Sequence, residues 1–117
     1  MRGDVSAPTP PLDDATATRV YRALLQVRRL DERMSALHDD GTIGFYLASR
    51  GEEATQLGGA LALRDHWIFP GYREAGLALW RGSTVQELVN QLFGNSEAHT
   101  KGPQMPVPHA VRRINFM

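Results

Sequence analysis

The sequence contains no cysteine. That removes disulfides, thiolate metal sites and cysteine nucleophiles together, and it fits a reducing compartment. Neither sign of charge is in excess, because 13 basic and 13 acidic side chains cancel. No global field therefore recruits nucleic acid or an anionic membrane. The pairs Arg28-Arg29 and Arg112-Arg113 have no aromatic stacking partners interleaved with them, and they read as solvated faces. No uninterrupted apolar run approaches the ~20 residues of a membrane-spanning helix. Pro8, Pro10 and Pro11 stand where a signal peptide would carry its apolar stretch. A soluble cytoplasmic protein with neither nucleic-acid nor membrane partners is the expectation. Histidine is sparse too. His38, His66, His99 and His109 show no i,i+4 pairing and no Asp or Glu cluster at ligand spacing, so no metal site is expected from this chain alone.

At 117 residues and 42% hydrophobic content, the chain can bury one core but is too short for a two-domain cofactor-binding enzyme. Residues 1–12 are rich in Pro, Ala, Ser and Thr and read as a flexible arm or a strap over a partner. Residues 13–117 are read as one further region, turning to loop beyond Asn95. Asp13, Asp14 and Thr16 offer capping groups ahead of a long helical pattern, in which Val20, Leu24, Val27, Leu30, Met34 and Leu37 recur at spacings of three and four. Gly41 ends it. Arg19, Arg22, Arg29, Glu32 and Arg33 lie on the opposite face, read as solvated or partner-facing.

Thr42 to Ala48 reads as a short strand or loop. Ser49 with Glu52 makes a capping box for a following helix, where Glu52 is assigned the capping role in preference to an acid/base pair with Glu53. Gly51, Ala54, Gly58, Gly59, Ala60 and Ala62 leave that helix little side chain. Each interior glycine costs ~1 kcal/mol relative to alanine, which implies a close backbone neighbour. Ser83 or Thr84 with Gln86 or Glu87 predicts another capped helix, apolar round much of its circumference and stopped by Gly94.

The most telling stretch runs from Trp67 to Gly82. Trp67, Ile68 and Phe69 form a short β-preferring run, Pro70-Gly71 is a turn signal, and a helix is expected from Tyr72 to near Gly82. Arg73 then falls in a first helical turn. Unpaired backbone amides and the helix dipole favour an anion there, and a guanidinium adds bidentate bonds to phosphate oxygens. A solvated arginine, or one ion-paired with Glu74, is the competing reading.

The stretches Gly44-Phe-Tyr46, Ser49-Arg-Gly-Glu-Glu-Ala54, Phe69-Pro-Gly-Tyr-Arg-Glu-Ala-Gly76, Leu92-Phe-Gly-Asn95 and Lys101-Gly-Pro-Gln-Met-Pro-Val107 resemble, in order and spacing, the α subunit of the E1 component of 2-oxo acid dehydrogenase complexes. The Phe-Tyr and Gly-Glu-Glu wording looks more like the branched-chain enzymes than the pyruvate enzymes. The resemblance covers only the N-terminal part of that subunit. It implies a mainly α-helical N-terminal portion of an α/β thiamine diphosphate-binding fold. Tyr72 and Arg73 would help bind the cofactor's diphosphate, and Tyr46 is either a core aromatic or part of the wall around cofactor and substrate. The implied partners are an E1 β-type subunit and a lipoyl-bearing E2 component. No Gly-Asp-Gly followed by Asn-Asn occurs, so the family's Mg2+ ligands are absent from this chain. Pro103 and Pro108 depart from the family's usual Gly-Arg-Gln-Met-Pro-Val-His wording around His109.

Two functions follow. One is part of an enzyme that oxidatively decarboxylates a branched-chain 2-oxo acid and passes the acyl group to lipoyl-E2. The other is a non-catalytic, truncated fragment that acts as an interaction module for a β-type subunit. So short a chain is expected to leave apolar surface uncovered, with Leu88 and Leu92 among the residues at stake, and to self-associate or be captured by a partner.

Overall fold

The computed structural model describes residues 12–103, 105–106 and 110–117. The expected N-terminal arm, apart from Leu12, and the positions Gln104, Pro108 and His109 lie outside the described residues. The chain is mainly helical. It comprises α1 (Asp14–Asp39), α2 (Glu53–Leu63), α3 (Ala75–Trp80) and α4 (Val85–Phe93), followed by one 3₁₀ turn at Arg112–Ile114. Among the described residues, extended pairing is confined to isolated bridges.

The ends of α1 follow from its sequence. The Asp13 carboxyl accepts from the Thr16 amide at 2.8 Å and from its hydroxyl at 2.7 Å, satisfying one of the unpaired donors of the first turn. At the other end Gly41 takes φ +79°. The Thr42 amide turns back to the Leu37 carbonyl at 2.9 Å, as a left-handed cap requires. Val27, Leu30, Asp31 and Met34 form the buried face. On the outer face Arg22, Arg29 and Arg33 are exposed, whereas the Arg19 guanidinium lies 3.9 Å from the centroid of the Trp80 ring.

The capping box expected at Ser49 and Glu52 does not form. Glu52 precedes α2 without a side-chain cap bond, because Ser49 is drawn away to α1, where its amide donates to Asp31 Oδ1 at 2.7 Å. Glu53 organises this entry instead. Its carboxyl accepts from the Gly51 amide at 2.9 Å and from Arg28 Nε at 2.6 Å. The close approach expected on the glycines of α2 also lies elsewhere. A Cβ at Gly58 would meet nothing within 4 Å, whereas one at Gly76 in α3 would sit 2.6 Å from Gln56 Oε1 and 3.2 Å from Val27 Cγ2. Gly76 thus lets α3 settle where α1 and α2 meet, and its amide donates to that same Gln56 oxygen at 2.8 Å.

The capping box of α4 forms between Thr84 and Glu87, and Gly94 closes the helix in the left-handed region at φ +60°. Leu88 and Leu92 do not lie on an uncovered surface; they are 4% and 6% exposed. They share their core with the C-terminal segment. Ile68 and Phe116 pair, with Ile68 N donating to Asn115 O and Met117 N to Ile68 O, each at 2.9 Å. This draws Val111, Ile114 and Phe116 into one core with Leu30, Leu77, Leu88 and Leu92. Arg81 Nη1 donates to the carbonyls of His66 at 2.8 Å and Ile114 at 3.2 Å, tying the same segment to the end of α3.

Gly76→Ala is expected to destabilise the chain by about 1–3 kcal/mol through overpacking. Gly58→Ala, at an open helical position, should stabilise it by about 0.5–1 kcal/mol. Urea denaturation midpoints of the two variants check both signs.

Candidate functional site

Between α1 and the turn that precedes α3 lies a cleft lined by Leu30, Tyr46, Leu47, Pro70, Gly71, Tyr72, Arg73, Glu74, Ala75, Leu88, Leu92 and Phe116. The three residues singled out from sequence, Tyr46, Tyr72 and Arg73, therefore share one wall. The cavity measures about 30 Å³. That is room for one or two waters, far below the ~300–1,000 Å³ of a site that encloses an organic cofactor. By itself the cleft does not enclose a molecule of that size.

Arg73 is not in a first helical turn. Helix α3 begins at Ala75, because the Glu74 side chain folds back, accepts from the Arg73 amide at 3.0 Å and holds residues 71–74 in a turn. The helix-dipole argument for an anion at Arg73 therefore falls. A different constraint sets the side chain. Arg73 Nε donates to the carbonyl of Ala48 at 2.9 Å, which fixes one edge of the guanidinium. Its Nη atoms have no hydrogen-bond partner among the described residues and stand at an exposed position. Such a fork suits phosphate or carboxylate oxygens. Tyr72 beside it is also exposed, at 51%.

The Tyr46 hydroxyl donates to Asp31 Oδ1 at 2.8 Å. Burial, together with this bond, pushes the phenol well above its ordinary pKa. The first reading of Tyr46, a core aromatic with a satisfied hydroxyl, describes its packing. Its ring packs against the core and lines the cleft, while its hydroxyl is committed to Asp31 and is not offered to a ligand.

Asp31, which sequence reading overlooked, is the acceptor for this whole corner. It is 2% exposed, and its Oδ1 also takes the Ser49 hydroxyl at 3.2 Å. A signal was present. Asp31 falls four residues after Val27 and three before Met34, on the apolar stripe, where an acidic residue has to find internal donors.

The carboxyls of Glu53 and Glu87 are held low. Glu53 is drawn from 4.5 to about 2, first by the hydrogen bond from Arg28 and then, against the opposing effect of burial, by its own backbone amide and that of Gly51. Burial pushes Glu87 up, but the Thr84 amide and the Arg113 guanidinium outweigh it and leave the group below its ordinary value. Among the described residues no three His, Asp or Glu side chains come together as a metal centre, and no helix is long and apolar enough to cross a membrane.

Comparison with known proteins follows the same geometry. Residues 21–117 match the model of the dehydrogenase E1 component. The chain belongs to this family. It is 39% identical over 107 residues to 2-oxoisovalerate dehydrogenase subunit alpha 1, mitochondrial, of Arabidopsis thaliana, covering 91% of this chain and 23% of that protein. It is 36% identical over 118 residues to the corresponding mitochondrial alpha subunit of Caenorhabditis elegans, covering 98% and 27%. Against the Bacillus subtilis alpha subunit it is 37% identical over 98 residues, covering 81% and 30%. This E1-family chain thus spans roughly a quarter of the length of the curated relatives it matches. The matched range includes Tyr46, Tyr72 and Arg73.

The depressed pKa of Glu53 has a fixed sign. A carboxyl held low in the folded state contributes stability that is fully present above its unfolded pKa and lost as pH falls through the folded one. Wild-type stability relative to Glu53→Gln should therefore shrink between pH 4.5 and about 2. Denaturant midpoints across that range read it directly, and a constant difference would refute the assignment.

Proposed function

We propose that this chain forms the N-terminal part of the α subunit of a thiamine diphosphate-dependent 2-oxo acid dehydrogenase, within a larger α/β cofactor-binding fold. Its substrate would be a branched-chain 2-oxo acid, in keeping with the 2-oxoisovalerate dehydrogenase names of the relatives. The observation that carries the reading is the meeting of Tyr46, Tyr72 and Arg73 on one cleft, with the Arg73 fork held along one edge by Ala48 and its Nη atoms without a partner among the described residues. The donor set fits a diphosphate. Arg73 would hold its oxygens through the Nη atoms, Tyr72 would add a hydroxyl at the rim, and the Tyr46 ring would exclude water from the wall behind. The thiazolium of the bound cofactor supplies the electron sink for decarboxylation. The cleft's small volume implies that the remaining walls and the Mg2+ ligands come from outside this stretch. A β-type subunit and a lipoyl-bearing E2 component are the partners of the same proposal. A cytoplasmic location rests on composition alone, since the plant and nematode relatives are named mitochondrial and the Bacillus subtilis one is not.

Titration of the chain with thiamine diphosphate, followed at the Arg73 side chain by NMR, should show weak, magnesium-independent binding. Unphosphorylated thiamine should give no response, and Arg73→Ala should weaken the response about tenfold, as loss of a charge-assisted pair predicts. Tight magnesium-dependent binding, or equal binding by the variant, would overturn this assignment.

The interaction-module reading has its own support on α1. Tyr21 and Leu25, one turn apart, are 63% and 46% exposed and form an apolar stripe on a helix surface. If that stripe mediates self-association or capture of a β-type subunit, Tyr21→Ser with Leu25→Ser should lower the apparent mass in light scattering. A monomeric wild type at high micromolar concentration would remove the basis for self-association.

A further inference from the structure

We propose that Asp31 is a positioning residue for the anion-binding fork of Arg73, acting through the loop between them; the inference rests on the cofactor-binding reading of the cleft. Three donors converge on the single oxygen Oδ1 of Asp31: the Tyr46 hydroxyl at 2.8 Å, the Ser49 amide at 2.7 Å and the Ser49 hydroxyl at 3.2 Å. They come from both ends of a four-residue segment with no regular secondary structure. Within that segment stands Ala48, whose carbonyl accepts from Arg73 Nε at 2.9 Å. A loop without ladder hydrogen bonds depends on turn bonds and side-chain acceptors to fix its backbone, and besides Asp31 this segment has the Glu52 amide donating to the Ser49 carbonyl at 2.9 Å. Here Asp31 on α1 provides the side-chain acceptor, and the direction of the Ala48 carbonyl follows from it.

The consequence reaches the rim of the cleft. A guanidinium is a rigid plane, so fixing Nε at one carbonyl fixes the plane in which the two Nη groups point. Arg73 itself sits in a turn at an exposed position, where a free arginine side chain would sample many rotamers. Among the described residues its side chain bonds to the loop that Asp31 holds. Asp31 does not reach the cleft and is not expected to touch a ligand. It lies behind Tyr46, buried, and sets the fork in place before an anion arrives.

The test reads the Arg73 side chain directly. Hydrogen exchange of Arg73 Nε–H in the unliganded chain reports its bond to Ala48, and inorganic diphosphate serves as the anion probe. In Asp31→Ala, exchange at this group should accelerate about tenfold, matching loss of roughly 1.4 kcal/mol of loop-holding energy, and diphosphate should bind correspondingly more weakly. Asp31→Asn, which keeps an oxygen acceptor of the same shape, should restore exchange to within about threefold of wild type. Ile114→Val removes a methylene from the core and leaves the three bonds to Asp31 in place. It should lower overall stability without changing Arg73 exchange relative to global unfolding, which separates positioning from general destabilisation. Should Asp31→Ala not fold, Tyr46→Phe carries the test, with an expected acceleration of about threefold from the loss of one of the three bonds.

Unchanged Arg73 exchange in Asp31→Ala, or in Tyr46→Phe where that variant carries the test, overturns the inference. A wild type that protects Arg73 Nε–H in an Asp31-dependent way, yet shows no response to diphosphate, supports the positioning role and overturns the cofactor reading instead. The two failures are thus distinguishable.

Discussion

A buried acidic side chain on an apolar helix face is the constraint on which the candidate site depends. Setting Asp31 into the stripe formed by Val27, Leu30 and Met34 carries a desolvation cost that only internal donors offset. The donors available come from the connector after α1, namely Tyr46 and Ser49. The chain therefore cannot leave α1 freely. It has to return along the helix far enough to meet residue 31, and in doing so it lays the Ala48 carbonyl against the turn that carries Arg73. Packing of the hydrophobic core alone would bring these elements near one another, but it is non-directional and would not fix which backbone group faces the cleft.

Much of the helical framework was legible because helix ends are written in local chemistry. Asp13 with Thr16, Gly41, the Thr84–Glu87 box and Gly94 all act within one turn of sequence, and each can be recognised without knowledge of the fold. The errors arose where a residue with good local prospects had a better distant partner. Ser49 reads as a cap by spacing, but its donors go to Asp31, eighteen residues away. Glu53, adjacent to the expected capping residue, is claimed by Arg28 across the α1–α2 contact. The burial of Leu88 and Leu92 was hidden for a related reason. The segment that adds Val111, Ile114 and Phe116 to their core has little periodicity of its own and is held by two short bridges and by Arg81.

At the candidate site, the residues singled out share one cleft, but their geometry could not be read from sequence. Tyr46, Tyr72 and Arg73 were picked out by a family resemblance joined to the chemistry of a guanidinium, and all three line the cleft. The local argument for Arg73 failed, however, because Pro70-Gly71 does not lead straight into a helix. Glu74 keeps residues 71–74 in a turn and delays α3 until Ala75. What replaces the helix dipole is a tertiary hydrogen bond to a carbonyl twenty-five residues earlier in the chain, which no pattern of spacing announces.

The same turn is pinned again three residues later. Arg73 is tied to Ala48 through Nε, and the Gly76 amide is tied to the buried oxygen of Gln56 on α2 at a point where a side chain would not fit. Between these two anchors the backbone of residues 73–76 has little freedom. The Arg73 side chain therefore loses much of its rotamer entropy when the chain folds, an amount on the order of 2 kcal/mol for a fully ordered arginine. An anion meeting a fork already oriented in this way does not bear that cost on binding, which is the physical content of preorganisation. A surface arginine on an unrestrained turn would offer the same charge but bear the ordering cost each time it bound. The absence of a glycine-rich phosphate loop around Arg73 is thus compatible with a role in anion recognition, since the loop at Ala48 and the contact at Gly76 supply the rigidity that such a loop would otherwise provide.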